Sequence, residues 1–134
     1  MTENLPSLST EAVIRANQDL LTSIATCSYD DYEKMCVKDL TCFEPESKGM
    51  LIEGLSFHKY YFDLAEKYPN PARKTNVTMS QPHVRWIGKD CAILSYVRVD
   101  QIFDESGSTT KTMSETRVWQ VQNGVLKHVH FHKS

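Results

Sequence analysis

The chain has 134 residues, 40% of them hydrophobic and 24% charged, with a formal net charge of -2, the balance of one folded domain that buries its own core without crosslinks. No block of like charge occurs, so nothing offers the concentrated basic face that a nucleic acid or an anionic membrane surface needs. No apolar run is long enough for a bilayer span, no basic and apolar leader opens the chain, and Cys27, Cys36, Cys42 and Cys91 contain no C-x-x-C pair.

The expectation is therefore a cytoplasmic chain with reduced thiols packed as small apolar groups, with no cofactor and no bound metal. Residues 1–8 read as a flexible tail and 9–134 as the domain. Ser9 or Thr10 offers an N-cap with Glu11 in the first turn, and Val13, Ile14, Leu20, Leu21 and Ile24 keep a helical period, so a helix is predicted over 10–26. Asp30 can cap a short second helix carrying Tyr32, Met35 and Cys36, with an extended stretch over Leu40 to Phe43 after it. Glu44 to Gly49 has turn chemistry, and a short strand near Met50 to Glu53 answers the first.

From Gly54 a third helical pattern places Leu55, His58, Tyr61, Phe62 and Ala65 on one side until Pro69 and Pro71 end it. The period then becomes extended, and four strands are predicted over 74–87, 91–103, 112–122 and 125–133. The turns between them lie at Gly88 to Asp90, Asp104 to Ser108 and Gln122 to Gly124. Asn123-Gly124 is a strong hairpin signal, because both central residues of that turn need positive φ. Short connections imply antiparallel pairing, and helices followed by a meander imply an α+β domain with a curved sheet around one long helix. Asn76-Val77-Thr78 matches a glycosylation acceptor, which a cytoplasmic chain does not present to that machinery.

Three cations fall on apolar sides of strands. Arg98 shares its face with Leu94 and Tyr96, Arg117 with Met113, Trp119 and Val121, and Lys133 with Val129 and Phe131. On a concave sheet they would converge on one cavity, where a small carboxylate or an internal acid would have to balance them; the alternative is that each forms an ordinary pair with nearby Glu115, Asp100 or Asp104 or emerges at a strand end. His128, His130 and His132 alternate and so share a face, a pattern that can hold a transition metal if a ligand such as His83 or His58 joins it, but one that also suits packed or solvated sheet histidines. Tyr32 with Glu44 or Glu46, near His58, is the one set that suits general acid–base chemistry, without the spacing of a motif. Nucleophile signatures, a phosphate loop and a dinucleotide fingerprint do not occur.

Five strings follow one another in order: Phe43-Glu44-Pro45-Glu46, Glu53 through Phe62 (EGLSFHKYYF), Pro82-His83-Val84, Ser114 through Trp119 (SETRVW), and Val129 through Ser134 (VHFHKS). Together they resemble the association (hub) domain of calcium/calmodulin-dependent protein kinase II from about Ser9 to the end. The resemblance implies the cone-shaped nuclear transport factor 2-like fold, with a long N-terminal helix packed on a curved antiparallel sheet. It also implies dimers assembled into two stacked rings that hold kinase domains at high effective concentration, and a deep pocket lined by arginines. Arg98 and Arg117 fall on two of those arginine positions, and Tyr32 and His58 on pocket-lining ones. The chain departs from the pattern at Lys133, in place of a third arginine, and at Glu66, where animal members have an aromatic.

The expected function is thus a non-catalytic oligomerisation domain, either attached to a kinase or free-standing. Its partners would be copies of itself, a covalently linked kinase domain and a small carboxylate, with neither nucleic acid nor membrane among them. A small enzyme of the same superfamily, an isomerase, dehydratase or cyclase, is the alternative. A small-carboxylate sensor whose occupancy tunes ring stability is the third reading.

Overall fold

The structure is a computed structural model describing residues 8–134; most of the expected tail lies outside the described residues. Helix α1 (Thr10–Ala25) begins at Ser9, whose hydroxyl accepts the Ala12 amide at 3.1 Å. Its buried face is Val13, Asn17, Leu20, Leu21 and Ser23, and the chain leaves it through Cys27 at φ 56°. Helix α2 (Tyr29–Met35) has Ser28 at its N-cap, not Asp30. Cys36, expected on that helix, instead opens strand β1 (Cys36–Phe43), because it pairs in register with His128 near the other end of the chain. Tertiary pairing there overrides a helical spacing that a seven-residue helix is too short to enforce.

After β1 a 3-10 turn over Pro45–Ser47 is closed by the Ser47 hydroxyl, which donates to the Glu44 carbonyl at 2.8 Å. Strand β2 (Ile52–Glu53) pairs antiparallel with β1, and α3 (Ser56–Lys67) stops ahead of Pro69 and Pro71. The long strands are β3 (Lys74–Ile87), β4 (Cys91–Asp104), β5 (Gly107–Gln122) and β6 (Val125–Lys133). β5 starts earlier than expected because the β4–β5 ladder continues to the pair Asp104 and Gly107. Asn123 and Gly124 carry φ of 53° and 80°, the hairpin conformation their chemistry predicts.

These strands form one six-stranded sheet in the order β2-β1-β6-β5-β4-β3. The β3–β6 meander is antiparallel, and β1 joins it by a parallel pairing with β6. α1 lies against β3 and β4, where Gln18 donates to the Val77 carbonyl at 2.9 Å. Val13, Leu20 and Leu21 of α1 meet Val77, Ala92, Leu94 and Trp119 in the core; full burial of each large side chain contributes roughly 1.5–3 kcal/mol. Asn17 is the polar exception inside it, and it accepts the Trp119 indole N–H at 2.9 Å.

A bulge decides which way β6 faces. Val118 pairs with His130 but Trp119 pairs with His128, so Val129 is an extra residue in β6. His128 therefore points inward onto Trp119, while His130 and His132 pair with the outward Val118 and Thr116. The three histidines do not share a face, and Lys133 keeps the facing of Phe131. Strict alternation fails here because one inserted residue reverses the facing of everything before it. No helix among the described residues is long and apolar enough to cross a membrane.

Candidate functional site

The inner face of the sheet converts the period-2 pattern into a charged cavity. Arg98, Arg117, Lys133, Tyr32 and His58 line one cavity of about 220 Å³ together with Glu44 and Glu46. Arg98 comes from β4, Arg117 from β5 and Lys133 from the end of β6. Tyr32 stands on α2 and His58 on α3, each packed against Phe62 or Phe131. Arg98 also faces a second, larger hollow of about 670 Å³ at the ends of α1 and α3, bordered by Glu66, Tyr68 and Asp100.

Glu115 balances the arginines. It is two residues before Arg117 on β5, so the pleat puts both on the inner face. Its carboxylate accepts from Arg117 at 3.0 and 3.1 Å and from Arg98 at 3.3 Å, and it takes a short hydrogen bond from the Tyr96 hydroxyl. Asp100 adds a 2.8 Å pair to Arg98. Asp104, the other acid considered from sequence, instead receives the Ser106 amide and hydroxyl. Burial alone would raise the Glu115 pKa, but Arg117 and Arg98 outweigh it and hold the carboxyl below its usual range. Burial likewise works against the Arg117 charge, yet Glu115 prevails and raises its pKa. The Phe131 ring lies 4.3 Å from the Arg117 guanidinium carbon and covers its face.

The remaining polar atoms form a chain away from Arg117. Its guanidinium donates to His128 Nε2 at 3.5 Å, and His128 Nδ1 lies 3.5 Å from the Cys36 thiol. That arrangement calls for a neutral imidazole with its proton on Nδ1; burial first, and Arg117 second, hold His128 well below its ordinary pKa. Lys133 reaches Glu44 and Glu46 at 3.8 Å each, looser than the arginine contacts.

The acid–base set predicted from sequence is in one place but poorly tuned for proton transfer at neutral pH. Burial and Cys36 raise the Tyr32 phenol well above its usual value, and burial with Arg117 and Lys133 takes His58 down to about 4. Tyr96 enters as a hydroxyl partner rather than as the apolar neighbour it resembled, and its pKa is pushed up to about 12, chiefly by burial. Cys42 was not singled out either: its thiol sits 3.6 Å from His58 Nε2. Only the approach of α3 to β1 brings those two together, and no local spacing signals it.

The long helix packed on the six-stranded sheet, with α2 and α3 beside the cavity, is the fold of solved nuclear transport factor 2-like proteins. A solved protein of that description from Cytophaga hutchinsonii shares the fold at 18% identity, with a TM-score of 0.73 over 95% of this chain and 98% of the other. The family itself is narrower. The calcium/calmodulin dependent protein kinase II association domain matches residues 9–134, and the chain belongs to that family. The solved hub homology domain of Chlamydomonas reinhardtii is 46% identical, with a TM-score of 0.87 over 94% of this chain and 98% of that one. Calcium/calmodulin-dependent protein kinase type II of Caenorhabditis briggsae is 39% identical over 123 residues, 91% of this chain. The chain spans 22% of that kinase's length.

Proposed function

We propose that this chain is a non-catalytic oligomerisation domain that assembles dimers into a stacked double ring, either as the hub of a kinase or as a free-standing hub. The observation that carries the reading is its near-complete likeness to a hub homology domain, at 46% identity over 94% of the chain. Its surface suits the role: Val97 and Phe103 are exposed on the face of β4 that the helices leave uncovered, and Tyr60, Tyr61, Leu64 and Tyr68 are exposed on and after α3. A cytoplasmic location goes with this reading, since all four cysteines are free thiols. Native mass spectrometry over a dilution series tests it, and only a monomer or a simple dimer at micromolar concentration would overturn it.

A small carboxylate in the cavity is a second proposal, favoured by Lys133. Its contacts at 3.8 Å leave an ammonium less tightly held than either arginine, facing the cavity beside Arg98, Arg117, Tyr32 and His58. Calorimetry with butyrate as the probe tests this, and binding that survives Lys133→Ala and Arg98→Ala would refute it.

A further inference from the structure

We propose that Cys42, Glu44 and His58 form a binding site for one zinc-class divalent ion in the wall of the cavity. Their ligating atoms, one thiol, one carboxylate oxygen and one imidazole nitrogen, lie within 4.8 Å of one another. Zinc bonds of about 2.3 Å to sulfur and about 2.0 Å to nitrogen, at a tetrahedral angle, place those two ligands about 3.5 Å apart. Cys42 Sγ and His58 Nε2 stand at 3.6 Å, so the rigid pair already has the separation the ion requires.

The scaffold holds each ligand for reasons independent of a metal. Cys42 is next to the last residue of β1, paired with Ile52 on one side and Phe131 on the other. His58 is on α3, its ring lodged among Tyr32, Phe57 and Phe131. Glu44 caps the 3-10 turn and pairs loosely with Lys133, at 3.8 Å. Glu44 and His58 open onto the cavity while Cys42 lies behind it, which leaves the fourth position toward the cavity for water or an anion. A thiolate, an imidazole and a carboxylate together favour zinc over magnesium or calcium.

The surrounding charge accepts a cation. Arg98, Arg117 and Lys133 face four carboxylates, Asp100, Glu115, Glu44 and Glu46, and ionisation of the thiol on binding adds one more negative charge. Lys133 lies as far from Glu46 as from Glu44, at 3.8 Å, so it can pass to Glu46 when Glu44 takes the ion. Burial keeps Cys42 protonated, its pKa pushed up to about 12, so binding transfers the thiol proton to solvent as the metal–sulfur bond forms. Burial also keeps His58 neutral, the form that ligates.

The test is anaerobic titration of the chelator-stripped full chain with Co²⁺ as the probe. One Co²⁺ per chain is expected, with a near-ultraviolet sulfur-to-cobalt charge-transfer band and the visible bands of tetrahedral cobalt, all abolished when Zn²⁺ displaces it. Cys42→Ala loses the charge-transfer band, whereas Cys27→Ala, at the exposed thiol, keeps it. A wild-type chain without that band, or a band that survives in Cys42→Ala, overturns the proposal. Glu44→Gln, on the cavity wall, is the second variant: it weakens Co²⁺ binding while keeping the sulfur band, and unchanged affinity overturns the three-ligand site.

Discussion

Glu115 and Arg117, two positions apart on β5, meet at 3.0 Å on the inner face of the sheet, and neither side chain is more than 1% exposed. Arg98 shares the same carboxylate, so one buried acid holds two guanidinium groups. Removing it leaves both without that partner in a medium that solvates them poorly. Breaking a buried pair from one side costs about 3–5 kcal/mol, so Glu115→Gln should lower unfolding stability by that order. Chemical denaturation at fixed protein concentration measures it, because stability and assembly are linked. A loss below about 1 kcal/mol would mean that water or other groups take over the role of Glu115.

The same geometry predicts acid sensitivity through His128. Its folded pKa lies well below the ordinary imidazole value of about 6.5, first because of burial and then because of Arg117; Cys36, His58 and His130 are the other titratable groups around it. The unfolded chain takes up a proton that the folded chain refuses. The stabilising contribution is therefore complete above about pH 6.5 and is lost as pH falls below it, by about 1.4 kcal/mol per pH unit for one such histidine. Melting temperature recorded from pH 7 to pH 5 in the presence of chelator should fall, and His128→Gln should flatten the decline. An equal slope in wild type and variant would assign the acid sensitivity elsewhere.

Asn17 offers a test of the core that does not involve the cavity. Its carbonyl oxygen accepts from Trp119 at 2.9 Å and its amide nitrogen lies 3.3 Å from the Met79 sulfur. Asn17→Ala removes the acceptor and leaves a buried indole N–H, at a cost of about 1–3 kcal/mol. Denaturation should show that loss with assembly mass unchanged; a neutral result would place a water in the vacated space.

Much of this arrangement is written in local chemistry. Ser9 and Glu11 announce α1, the switch from helical to alternating spacing after Pro71 announces the sheet, and Asn123-Gly124 announces its last hairpin. Placing Arg98 and Arg117 on the inner face needs only the pleat, as does placing Glu115 beside Arg117. What stays hidden depends on distant pairing. Cys36 opens β1 because His128 is its partner. Val129 bulges because Trp119 pairs with His128 while Val118 pairs with His130. The Cys42–His58 contact exists because α3 packs over β1. The deciding residue is 92 positions away for Cys36 and 16 away for Cys42, and for Val129 it lies across a hairpin, in each case beyond the reach of a local spacing rule.

The uncovered face of the sheet gives a prediction about association. Val97 and Phe103 lie there at 39% and 49% exposure, so Val97→Glu with Phe103→Glu should leave the fold intact, by circular dichroism, and reduce the assembly. An undiminished mass would move the contact to another surface, such as α3.

The most direct test of the account is the native mass of the wild-type chain followed through serial dilution by native mass spectrometry. The account predicts an assembly of many subunits, even in number, that persists as the protein is diluted. A monomer or a simple dimer across the whole range would contradict it.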